Sequence, residues 1–88
     1  MADKLNTLGL AYRARKAVLG EEVLNRIDKI KLMFIASDIS EKSRERYYKI
    51  DHIDEYSGEQ LSSALGKNNV KVVGILDKGF KDALLKNK

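Results

Sequence analysis

LMFIAS, residues 32–37, is a nearly continuous apolar run. A strand with one wet face alternates apolar and polar side chains, whereas a strand that stays apolar is covered on both faces. This segment therefore asks for helices on both sides of a sheet. A second strong strand, VKVVGIL at 70–76, joins it. Weaker strands are expected at AVL, 17–19, and at KIDHID, 49–54, with Ile50 and Ile53 inward.

Helical patterns fill the spaces between these strands. Residues 3–16 read as a helix capped by Asp3, with Leu5, Leu8 and Tyr12 on one face. Gly9 weakens that helix by about 1 kcal/mol relative to Ala, and it can also admit a close neighbour. After Gly20 a second helix starts at Glu21, with Val23, Ile27 and Ile30 inward and Glu21, Glu22, Asn25 and Arg26 outward. Asp38 and Ser40 supply turn and cap chemistry before a charged helix, SEKSRERYYK. Ser57 and Gln60 form a capping box, and Gly66 stops that helix. Lys67, Asn68 and Asn69 make a polar loop, and Lys78–Gly79 is expected to turn the chain into a last helix with Phe80, Ala83 and Leu84 inward. Alternating helices and strands give an α/β layered architecture, one small domain over residues 1–88.

Several kinds of chemistry lack their residues. With no Cys and one histidine, His52, a structural zinc site has no ligand set, and no metal or other cofactor is expected. Neither GxGxxG nor GxxxxGK[ST] occurs. Glu21 and Glu22 are adjacent, so on a helix their side chains diverge by about 100° and do not share a reaction centre. An enzyme with a small-molecule substrate is not expected. No apolar run reaches membrane-spanning length and no signal-peptide core is visible, so a cytoplasmic chain without a membrane partner is expected. Tyr47 and Tyr48 could stack on bases, although at helical spacing one of them packs against the sheet. His52 reads as a structural residue of a weak strand.

Charge points toward nucleic acid. The formal net charge is +4, and a basic small domain leans that way. Residues 1–20 carry Lys4, Arg13, Arg15 and Lys16 against Asp3 alone, residues 38–55 are net −2, and residues 57–88 are net +3. If the two basic ends meet in space they form one positive face. In RARKAVLGEE, 13–22, cations precede a glycine that acids follow. That order fits a surface that holds phosphates while carboxylates accept from nucleobase edges. It also fits a plain turn at Gly20 with two acids complementing a helix dipole.

LGLAYRARKAVLGEE, then LMFIASDIS, then LSSALGKNNVKVVGILDKGF resemble the kink-turn RNA-binding ribosomal protein family of L-seven-Ae type, in its small bacterial YlxQ-type branch. The likeness is firm at 8–22, 32–40 and 61–80. It implies a three-layer α-β-α sandwich around a mixed, about four-stranded sheet, and it implies RNA binding in the translation apparatus without catalysis. In that family the strand-to-helix entrance and the loop before the last strand grip a kinked RNA at tandem sheared G·A pairs. Those segments here are Gly20, Glu21, Glu22, Asn25 and Arg26, and Gly66, Lys67, Asn68, Asn69 and Val70, with Arg13, Arg15 and Lys16 adding salt-sensitive attraction. Archaeal members carry Gly-x-Asn-Glu-x-x-Lys where this chain has Glu22, Val23 and Arg26, and the stretches 20–38 and 41–57 are shorter than the family pattern. The resemblance implies an RNA partner, with ribosomal RNA among the candidates, and a monomer is expected. The alternative is a protein–protein interaction module on the same fold, acting through the charged 41–49 helix.

Overall fold

A computed structural model describes residues 4–47 and 52–86. Along the chain come α1 (Lys4–Arg13), β1 (Ala17–Leu19), α2 (Glu21–Asn25), a 3-10 turn (Ile27–Lys29), β2 (Leu32–Ile35), α3 (Glu41–Glu45), β3 (His52–Ile53), α4 (Gly58–Leu65), β4 (Val72–Ile75) and α5 (Lys78–Lys86). The Asp3 cap, Tyr48 and the first half of the 49–54 strand lie outside the described residues.

The four strands form one mixed sheet in the order β1-β4-β2-β3. β4 is antiparallel to both β1 and β2, and β2 is parallel to β3. β2 is buried along its whole length, as its apolar run demands. Leu32 and Phe34 face Leu8, Leu61 and Leu84, so α1, α4 and α5 cover that side. Met33 and Ile35 face Val23, Ile30 and Tyr47 on the other side. Two cores on opposite faces make a three-layer α-β-α sandwich. Each fully buried large side chain contributes roughly 1.5–3 kcal/mol.

α1 crosses α4 at Gly9, where an added Cβ would stand 2.9 Å from the Ala64 carbonyl oxygen. The glycine that weakens the isolated helix is what lets the two helices touch. α1 ends earlier than its apolar pattern predicts. Arg15 takes a left-handed conformation, φ 62°. The Lys16 N–H then donates to Ala11 O at 2.8 Å and the Arg15 N–H to Tyr12 O at 3.0 Å, closing a Schellman cap.

The predicted 21–30 helix is also shorter. Arg26 sits at φ −120°, ψ 27° and breaks the α-helix, and a 3-10 turn follows. The break resets the helical phase: Val23 stays fully buried and Ile30 returns to the sheet, but Ile27, expected inward, is 39% exposed. The charged helix stops at Glu45, with Ser40 Oγ accepting from Ser43 N–H. Tyr47 beyond it is buried against the sheet. Lys78 and Gly79 are not a turn but the first residues of α5. Asp77 caps them, its carboxylate accepting from Phe80 N–H at 3.0 Å. α4 follows its expectation, with both halves of the Ser57–Gln60 capping box formed and Gly66 left-handed at φ 67°.

Candidate functional site

β1 and β4 pair with Leu19 opposite Val73, and this register brings two distant segments side by side. The Gly20 N–H donates to Val72 O at 3.1 Å, which anchors the entrance of α2 to the start of β4. One cleft of about 430 Å³ results, lined on one side by Leu19, Gly20 and Glu21 and on the other by Lys67, Asn68, Asn69 and Val70. Ile39, Ser43 and Tyr47 from the β2–α3 region form its third wall, and Lys71 its rim.

Gly20 sits at φ 55°, ψ −126°, and no side chain caps α2. A Cβ added there would meet nothing within 4 Å. The glycine is thus required by the backbone turn, and the space in front of it is open to a ligand. The opposite loop carries a second left-handed residue, Asn69, at φ 57°. Asn is one of the few non-glycine residues that take this conformation as single residues, so the residue type suits the turn.

The cations gather around a neighbouring hollow. Arg13, Arg15 and Arg26 line it together with Tyr12 and Val18. Tyr12 connects the two hollows, because the Lys67 ammonium stands 5.8 Å from its ring centroid, within cation–π range. Lys67 from the second half of the chain is thereby laid on the last turn of α1, beside the N-terminal arginines. The two basic stretches do meet.

Not every expected residue reaches the cleft. Arg26 lines the arginine hollow rather than the Gly20 cleft, and its Nε lies 3.5 Å from Glu22 Oε2 in an exposed pair. Lys16, Glu22, Asn25 and Gly66 line neither hollow. Lys4 pairs with Glu55 at 3.0 Å, away from both. Ile39, Ser43, Tyr47 and Lys71 have no marker in the sequence as cleft residues, because nothing local shows that the segment after β2 packs beside the start of β4. Of these only Tyr47 stood out beforehand, as half of an aromatic pair.

Asp38 fastens the loop after β2 to the start of α4. Its carboxylate accepts from the Gly58 N–H at 2.9 Å. That bond, then one from its own backbone N–H, then the charge of Lys71, hold its pKa below the ordinary 3.8. Lys71 Nζ lies 3.8 Å from the other carboxylate oxygen.

A protein named RNA-binding protein YlxQ from Enterococcus faecium is 35% identical over 85 residues, spanning 86% of this chain and 82% of the relative. The chain belongs to the YlxQ family. The Bacillus subtilis YlxQ, also named an RNA-binding protein, is 33% identical over 87 residues, covering 89% of this chain and 87% of its own. Among solved structures, a protein of unknown function from Bacillus halodurans superposes with a TM-score of 0.86 at 28% identity, covering 98% of this chain and 96% of that one. A Giardia lamblia 15.5kD RNA binding protein shares the fold, with a TM-score of 0.70 at 16% identity over 93% of this chain and 78% of its own. No family-wide sequence model matches the chain. The YlxQ relationship spans both walls of the cleft.

Proposed function

We propose that this chain is a cytoplasmic RNA-binding protein of the translation apparatus, acting as a monomer and without catalysis, that recognises a kink-turn-like RNA. The observation that carries the proposal is the cleft in which the Gly20 entrance faces the Lys67–Val70 loop. The YlxQ relatives, both named RNA-binding proteins, support RNA as the partner.

Each wall has a physical role. The open front of Gly20 lets a sugar-phosphate backbone approach the chain. The Glu21 carboxylate, inside the cleft, accepts from guanine imino and amino hydrogens. The Asn68 and Asn69 amides offer donors and acceptors to a splayed nucleotide from the facing loop. A well-formed base contact of this kind is worth about 1–3 kcal/mol. Lys67, Arg13, Arg15 and Arg26 hold the flanking phosphates and make binding salt-dependent. By comparison, the cation at the centre of the charged α3 is tied into the fold: Arg44 reaches Asp54 at 3.1 Å and the Ser37 carbonyl at 3.3 Å. That favours the cleft over α3 as the working surface.

The test is a titration against an RNA helix kinked at tandem sheared G·A pairs and against a straight duplex of equal length. Preference for the kinked RNA, with affinity falling steeply as salt rises, is expected. Equal and weak binding to both refutes specific recognition. Arg26→Ala should weaken binding while the protein stays folded, since that side chain is 52% exposed.

A further inference from the structure

The loop Lys67–Val70 is closed at both ends on one residue of α4. The Ser62 backbone oxygen accepts from the Lys67 N–H at 3.0 Å. The Ser62 hydroxyl accepts from the Val70 N–H at 2.8 Å and itself donates to the Gly58 carbonyl at 2.7 Å. The donation to Gly58 fixes the hydroxyl hydrogen along the helix, so a lone pair is left facing the loop. Val70 is buried, which makes its N–H a donor that has to be matched. Between the two anchor points Asn69 is held in its left-handed conformation.

We infer that Ser62 is a positioning residue for RNA recognition: its hydroxyl sets the conformation in which Asn68 and Asn69 face Gly20. The inference rests on the RNA reading of the cleft. Ser62 lies behind the loop, lining a separate hollow with Asp38, Gly58, Asn68 and Asn69 and not the cleft that Gly20 borders. Its hydroxyl is already engaged by Val70 and Gly58, so it acts through the loop. Removing the hydroxyl orphans the Val70 N–H and frees the loop end that follows Asn69. The loop then samples other shapes, and affinity falls with the competent fraction. Lys67 keeps its backbone anchor, so the number of phosphate contacts, and with it the salt slope, is unchanged.

The experiment compares wild type, Ser62→Ala, Ser62→Thr and Ser62→Cys on the kinked RNA at several salt concentrations, with amide hydrogen exchange at Val70 in the free protein. Ser62→Ala is expected to lose about three- to ten-fold in affinity, the factor expected for one hydrogen bond, with an unchanged salt slope and faster Val70 exchange. Threonine keeps a hydroxyl able to bond back along the helix and should bring affinity to within about two-fold of wild type, well inside the loss from one bond. Cysteine keeps the shape with a weaker donor and acceptor and should fall between them, which serves if alanine unfolds the domain. Unchanged affinity in both the alanine and cysteine variants, with wild type preferring the kinked RNA, overturns the role of Ser62 alone. Wild type that shows no preference for the kinked RNA overturns the functional reading and this role with it.

Discussion

Gly9→Ala sets two effects of similar size against each other. On an exposed helix the change stabilises by about 1 kcal/mol, because alanine has less backbone freedom to lose. In α1 the new methyl would stand 2.9 Å from the Ala64 carbonyl oxygen. The obstructing atom is helical backbone, so no rotamer change relieves the contact and α1 must move away from α4. Overpacking of that kind costs typically 1–3 kcal/mol. The difference is a net loss of about 1 kcal/mol, or roughly 4–8 °C in Tm for a domain of this size. Urea denaturation followed by circular dichroism reads it as a lower midpoint at constant m-value. Gly9→Val should lose more, since it adds two further methyl groups and a poorer helix former. A stabilised Gly9→Ala would refute the reasoning, showing that the helices separate freely and that the crossing holds nothing in place.

Gly20→Ala should cost about 1–3 kcal/mol from backbone strain alone, because its Cβ would meet nothing within 4 Å. D-alanine at position 20, introduced by chemical synthesis, suits the φ of 55° and should recover most of that loss in the same melt. Asp38 has a depressed pKa in the folded chain, so its contribution is present above the ordinary carboxylate range and is lost as pH falls through the lowered value. Asp38→Asn should therefore flatten the acid limb of stability against pH, measured by denaturation between pH 2 and 6 (about two units either side of the ordinary carboxylate range). Val23→Ala should cost about 2 kcal/mol for two buried methyl groups, whereas Ile27→Glu should stay within about 0.5 kcal/mol. The reverse outcome in denaturant melts would restore the continuous helix through Ile30.

The layers were legible because they follow from local pattern. An unbroken apolar run such as LMFIAS can be satisfied only between two covers, and the Ser57–Gln60 box with Gly66 brackets α4 without outside help. What escaped was decided at a distance or by a single backbone choice. Nothing in the residues near Arg26 shows that the helix breaks there, so Ile27 looked buried. Asp77 is a good cap, yet the glycine two positions later drew the boundary past it. For the site, the two walls were readable from the resemblance, but Arg26 turned to the arginine hollow and paired with Glu22. Ser62 looked like any other helix serine, since its meaning depends on a loop that returns to it eight residues on.

The strand order has a consequence for how the protein comes into being. β1 and β2 never pair with each other: β4, the last strand to be made, lies between them, and β2 has β3 on its other side. Synthesis runs from the amino end, so a nascent chain that stops short of residue 72 has two apolar strands with no neighbour between them. Its Gly20 turn also lacks the carbonyl that anchors it. Insertion of β4 zips both ladders and seats the second lip of the cleft in one stroke. Half-made chains therefore lack the assembled cleft, because its two lips are joined only when β4 is in place.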